Sequence, residues 1–286
     1  LVGSEMCIRD RMQASNRRKN HSTITVSPKR PRIVPRWLFV PAGFGIIFLL
    51  LPIIGLISQI SWRNFPALIS ADTAIDALRL SIQTSATATA IVVAIGIPLS
   101  MILAWTDFPG KQLLRALLLL PLVLPPVVSG IALLQAFGRR GLIGSQLEAF
   151  GIEIAFTTVA VVISQVFISL PFMVVTLEGA LNTAGRSYQT VAMSLGASPT
   201  RTLWRVSVPM MTPAIMSGGI LAFARSLGEF GATSIFAGSR QGVTRTLPVE
   251  IYLQREIDPD SAIALSLLLI ISSIVIVGAV YGRVRK

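Results

Sequence analysis

The sequence predicts an all-α integral membrane protein with six transmembrane helices, and two observations carry that expectation. Charge is scarce, with 13% of the 286 residues charged and 52% hydrophobic, whereas a soluble chain shows roughly 25% charged residues. The scarcity also comes in blocks. Stretches free of Asp, Glu, Lys and Arg run 37–62, 80–106, 116–138, 154–177, 206–224 and 261–282. A bilayer core about 30 Å thick takes about 20 apolar helical residues, so each block crosses once. Lipid offers the backbone no hydrogen-bond partners, which makes helix the state these runs adopt. A soluble domain would have to bury six overlong apolar helices, and that reading is excluded.

The net charge of +12 reports orientation and not nucleic-acid binding. Lys and Arg collect on the cytoplasmic side of membrane proteins. Here they gather in segments 12–36, 106–115, 178–205 and 283–286, while Asp72, Asp76, Glu148, Glu256, Asp258 and Asp260 gather in the others. Both termini are therefore expected inside, in a multi-pass protein of the bacterial cytoplasmic (inner) membrane. Residues 1–36 read as a disordered basic tail, too polar to bury a core. Within it Leu1–Arg11 resembles translated adaptor sequence, and Met12 is the expected native start. The apolar block after Arg36 is too long for a cleaved signal peptide, and no small-residue cleavage site follows it. Cys7 and His21 both fall in this tail, so neither a disulfide framework nor a metal site is expected. The transmembrane domain spans 37–284.

Helix one, 37–61, leads to an outer loop with Trp62, Arg63, Asp72 and Asp76. Helix two opens with Ser81, Gln83, Thr84, Ser85, Thr87 and Thr89, a density of polar groups that either glues helices together or faces an aqueous path. Asp107-Phe-Pro-Gly110 is a tight inner turn. Helix three contains Pro121, Pro125 and Pro126 followed by Ser129 and Gly130. Adjacent prolines remove donors and forbid regular helix, leaving either a packing kink or a segment that lines a transport path. After helix four, the stretch 178–205 is the longest inner loop. Apolar residues at 188, 191, 192 and 195 make residues 187–195 an amphipathic helix. Gly196 stops it, and Ala197-Ser198-Pro199 begins another. The polar face has almost no Lys or Arg, unlike a helix resting on lipid, so the segment suits docking by another protein. In helix five, Arg225 and Glu229 are four residues apart and share a face. They form either a structural ion pair buried between helices or a pair that tunes a transport path, Arg225 setting its charge and Glu229 restraining Arg225.

The run Thr190-Val191-Ala192-x3-Gly196-x9-Val206-x-Val208-Pro209 resembles the cytoplasmic Glu-Ala-Ala loop of ATP-binding-cassette (ABC) importer permeases. Its spacing is kept throughout, with Thr190 in place of the Glu and Val191 in place of the first Ala. Leu120–Gly130 with Gly138–Gly144, and Ala224–Thr233 with Thr246–Tyr252, resemble the molybdate permease family, which is close to the sulfate and tungstate permeases. The resemblance implies a type I ABC importer permease fold, a homodimer, two cytoplasmic ABC ATPase subunits and an extracytoplasmic oxyanion-binding protein. It implies coupling to the ATPase through Tyr188, Thr190, Val191, Ala192, Leu195, Gly196, Ala197, Ser198 and Pro209. Pro125, Pro126, Ser129, Arg225, Glu229 and Thr233 are the candidate path residues, since a path that releases its cargo needs only hydroxyls and backbone groups.

The residues themselves agree that energy comes from elsewhere. No Gly-x4-Gly-Lys-Ser/Thr loop is present, and the one Gly-Lys pair, Gly110-Lys111, is followed by Gln112. ATP and Mg are expected on the partner, and no cofactor on this chain. An ion-coupled secondary transporter would need several acids facing a cavity, and only Glu229 qualifies. Sulfate, thiosulfate and tungstate remain alternative cargoes.

Overall fold

The computed structural model describes residues 35–284, and the basic tail with Cys7 and His21 lies outside them. Contacts divide the chain into a unit ending at Pro52 and a second beginning at Ile53. A 3-10 turn, Arg36–Leu38, leads into α1, Phe39–Ser58. Its 20 residues carry no charge, and at 1.5 Å per residue they reach about 30 Å, one bilayer core.

A short helix, α2 (Phe65–Ile69), precedes α3 (Asp72–Trp105), the longest helix at 34 residues. The charge-free block puts the start of this helix near residue 80, but Asp72 and Asp76 lie in its first turns and not in a loop. Carboxylates are favoured there because they face the helix's unpaired N–H groups. Absence of charge marks the part of a helix inside lipid, not where the helix begins. The inner turn at 107–110 forms with Gly110 at φ +87, and Lys111 bonds Asp107 at 2.9 Å. That hydrogen bond, then the ammonium charge, hold the Asp107 carboxyl below the usual carboxylate range.

The third charge-free block is not one helix. It is α4 (Lys111–Val123) and α5 (Pro126–Phe137), bent by 118° at Leu124-Pro125. After a short outer helix, α6 (Gly144–Glu148), comes α7 (Thr158–Ala184). Then follow α8 (Ser187–Ser194), α9 (Pro199–Thr202) with a π turn over Leu203–Ser207, and α10 (Val208–Leu227). The chain ends in α11 (Gly231–Phe236), α12 (Leu247–Ile257) and α13 (Pro259–Val284). Among the described residues five helices are long and apolar enough to cross a membrane, and the count is six when the bent pair is taken as one span.

The long helix α7 serves as a ruler for that pair. Near its end Glu178 pairs with Arg115 of α4. Near its start Ala155, Ala160 and Val161 pack with Leu133, Leu134 and Phe137 of α5. The two ends of the pair thus lie towards opposite ends of α7.

Helices α3, α7 and α10 form the core, and small residues let them approach. Met173 of α7 threads between two glycines: a Cβ on Gly96 would lie 2.7 Å from its Cγ, and one on Gly218 2.7 Å from its Sδ. The polar side chains of α3 mostly act as glue or close on their own helix. Ser81 accepts from Leu247 N–H at 2.7 Å, and Thr84 accepts from the Gln165 amide at 3.2 Å. Thr87 and Thr89 donate to their own helix backbone.

Candidate functional site

Two breaks in helix meet face to face in the second unit. The first is Leu124-Pro125, where both residues are extended before α5 begins at Pro126. The second lies between α10 and α11, at Gly228, Glu229 and Phe230. Glycine permits the contact: a Cβ on Gly231 would lie 2.3 Å from Pro126 Cβ, and one on Gly130 would lie 2.8 Å from Ile235 Cβ and 3.0 Å from the Ala232 carbonyl.

Glu229 sits in the second break, beyond the helix end, and not deep inside a fifth helix as the charge pattern places it. Its side chain is 1% exposed and both carboxylate oxygens are engaged. One accepts from the Ala232 N–H at 2.9 Å, capping the first turn of α11. The other pairs with Arg225 at 2.8 Å, the partner that i, i+4 spacing predicts. A buried carboxylate so enclosed is compensated. Arg225 differs, because its side chain is 31% exposed and, among the described residues, one of its nitrogens has a partner. The guanidinium therefore presents free N–H donors at the break. Three nearby hydroxyls, of Ser129, Ser226 and Thr233, are buried without a hydrogen-bond partner among the described residues. Ser129 lies between Pro126 and Gly130, the two residues that touch α11.

By contrast, a cavity of about 450 Å³ between α3, α10 and α13 is lined by Ala86, Ala90, Val93, Ile215 and Phe223, with Thr89 its one hydroxyl. It offers an oxyanion almost no donors, and a dry apolar wall disfavours charge.

The second region is α8 and the turn after it. Helix α7 extends to Ala184, so residues 178–184 of the stretch 178–205 are helical and the turn into α8 is Gly185-Arg186. In α8 the usual sense of an amphipathic helix is reversed. Gln189 is buried and its amide donates to the Ser207 hydroxyl at 3.3 Å, while Tyr188, Val191 and Met193 are exposed. Leu195, which ends the helix, is 83% exposed, and Thr190 is exposed beside it. Gly196 follows at φ +85 with nothing near the position of a Cβ. Ala197 turns back through its N–H to the Ala192 carbonyl at 3.1 Å. Ser198 then caps α9 by accepting from the Arg201 N–H, and Pro209 stands in the first turn of α10. Behind α8 is a cavity of about 270 Å³ lined by Trp105, Arg186, Met193, Thr202 and Leu203.

Some of the polar cluster escaped the sequence reading. Glu250 is completely buried, 3.3 Å from Arg245 and accepting from Gln254 at 2.8 Å. It lies in α12, a helix that the sequence reading did not name. The i, i+4 pair of Glu250 and Gln254 was its available sign.

Comparison with known proteins places these features in context. A model of the family described as "binding-protein-dependent transport system inner membrane component" matches residues 96–286. The molybdenum transport system permease protein ModB of Mycobacterium tuberculosis is 54% identical over 253 residues, covering 88% of this chain and 96% of that protein. A probable sulfate transport system permease protein, cysT of Chlorokybus atmophyticus, is 36% identical over 217 residues, covering 75% of this chain and 76% of its own. Among solved structures, a bacterial alginate ABC transporter in complex with an alginate-loaded periplasmic protein superposes with a TM-score of 0.67. It does so at 16% identity, covering 85% of this chain and 92% of that one.

Proposed function

Because the chain belongs to the binding-protein-dependent transport system inner membrane components, we propose that it is the membrane-spanning permease subunit of an ABC importer that brings molybdate into the cytoplasm. The observation that carries the cargo is the 54% identity to ModB along nearly the whole of both chains, against 36% to a sulfate permease. The binding-protein partner is supported by the family itself and by the periplasmic protein seated on the alginate transporter.

The finer assignments belong to the same proposal. The permease works as a homodimer with two cytoplasmic ATPase subunits, which carry ATP and Mg. Both termini are cytoplasmic, which puts α8 on the cytoplasmic face. Tyr188, Val191 and Leu195 give it an apolar surface that nothing among the described residues covers. Burying that surface in a groove of the ATPase makes α8 the grip through which closure of the ATPases moves the spans. Thr190, Ala192, Ala197, Ser198 and Pro209 hold the grip in shape, and Gly196 gives it its turn.

The spans then alternate between outward and inward exposure. In the outward state a loaded binding protein releases the oxyanion towards the facing breaks at Pro125-Pro126 and Gly228–Gly231. The free donors of Arg225 meet the divalent anion there, assisted by the Ser129 and Thr233 hydroxyls when the breaks separate. Glu229 holds part of the arginine's charge, so the anion is attracted without being trapped. Hydrolysis resets the inward state.

The test is ATP hydrolysis by the reconstituted complex with its binding protein loaded in turn with molybdate, tungstate and sulfate. Molybdate is expected to stimulate most. Stimulation by sulfate alone would transfer the chain to the sulfate permeases, and absence of any ATPase partner would end the importer reading.

A further inference from the structure

Three side chains at the foot of α10 have no part in that mechanism. Arg201, Trp204 and Arg205 are exposed, Trp204 to 65%. They lie three and four residues apart and so share one face of the segment made by α9 and the π turn. The other face is occupied. Thr202, Leu203 and Ser207 line the cavity behind α8, and Ser207 accepts from Gln189. The exposed face therefore looks away from α8. Neither arginine has an acidic partner among the described residues.

An indole flanked by two unpaired guanidinium groups, one turn ahead of an apolar span, matches the chemistry of the water–lipid boundary. Indole rings settle at headgroup depth because one edge is polar and the body apolar. Guanidinium forks fit phosphate oxygens two at a time, and their aliphatic stems lie along apolar surface. The segment is helical without interruption from Pro199 to Val208, where the membrane helix begins. Whatever holds this face also fixes the base of α8.

We propose that Arg201, Trp204 and Arg205 form a binding site for the phosphate of an anionic phospholipid headgroup, which anchors the α8 segment to the membrane surface. The bilayer is favoured over an acidic protein patch because Trp204 lies only four residues from the start of the span. The surface offered to a protein, on α8, is also on the other side. The placement of this site in the cytoplasmic leaflet rests on the orientation proposed above; the site itself does not.

The experiment is fluorescence quenching of the full chain in bilayers containing brominated phosphatidylglycerol or brominated phosphatidylcholine. The chain has four tryptophans, so the Trp204 signal is the difference between wild type and Trp204→Phe, a change that keeps an apolar ring. Both leaflets carry the brominated lipid, so orientation does not enter. The expected result is stronger quenching by phosphatidylglycerol, with a preference of about fivefold for each arginine. R201Q/R205Q is expected to remove that preference, and R201K/R205K to retain part of it. Equal quenching by the two lipids, or by the double glutamine variant as by wild type, overturns the proposal. So does a Trp204 signal shielded only when the ATPase is added, which would reassign the face to protein contact.

Discussion

Glu229 holds two structural duties at one carboxylate, and separating them makes a sharp prediction. It neutralises Arg225 and caps α11 through the Ala232 N–H. Removing Glu229 strands Arg225, which is 31% exposed and partly screened. The cost stays below the figure for a fully buried charge, about 3–5 kcal/mol, and a lost cap adds about 1 kcal/mol. Glu229→Ala is therefore expected to lower the thermal unfolding midpoint of the purified permease strongly. The double variant R225M/E229M, with no stranded charge, is expected to recover most of that loss. Its transport should stay low, because the free guanidinium donors are gone. Recovery of transport in the double variant would make the pair purely structural and remove Arg225 from the path. The i, i+4 spacing of the pair was legible in the sequence. The cap was not: Gly228, which ends α10, was the available sign of a stop, but the i, i+4 spacing made Glu229 read as a residue inside a helix.

Among the elements, α8 with Gly196 and the facing breaks each rest on a glycine used in a different way. Gly196 is left-handed, φ +85, and surrounded by open space. A side chain there meets nothing among the described residues, so an effect beyond backbone strain points to a contact outside them. Asparagine and aspartate are nearly the same size, and both tolerate left-handed backbone at about 1 kcal/mol. Gly196→Asn is expected to keep most uptake, whereas Gly196→Asp should abolish it with membrane insertion and yield unchanged. Normal uptake by an Asp variant that still holds its ATPase would remove α8 from the coupling route. Gly231 is the opposite case, because its Cβ would fall on Pro126. Gly231→Ala is expected to cost about 1–3 kcal/mol of unfolding free energy, while Gly228→Ala, whose Cβ meets only the Ala224 carbonyl at 3.7 Å, should change little. Equal effects of the two would mean that the breaks are not in tight contact. The sequence signalled α8, Gly196 and the Ser198 cap through periodicity and turn chemistry, which are local. Which face of α8 turns outward was not readable, since burying Gln189 against Ser207 and exposing Leu195 depends on the cavity behind them. Likewise Pro125-Pro126 announced a break but not that Gly231 would fill it.

At the scale of the whole molecule, composition sets how many segments sit in lipid, and direction needs contacts. Charge-free blocks found the apolar lengths of α1, α3, α7, α10 and α13, and missed α12, which carries Glu250, Arg255 and Glu256. The third block left one question, since two helices bent by 118° could cross or double back. The Arg115–Glu178 pair at one end of α7 and the apolar cluster that holds Phe137 near its other end favour crossing. Cysteines placed one at a time at the exposed positions Asn64, Arg140, Ser198 and Ser239 of a Cys7→Ser protein test this with a membrane-impermeant thiol reagent. Six crossings with an inner N-terminus require Asn64→Cys, Arg140→Cys and Ser239→Cys to react in intact cells, and Ser198→Cys only after the membrane is opened. If the bent pair doubled back, Asn64→Cys would still react from outside, but the other three would exchange sides. If the whole orientation were inverted, all four would change together. The three patterns differ, so one labelling series decides the direction of the bent pair and the side on which α8 waits for its partner.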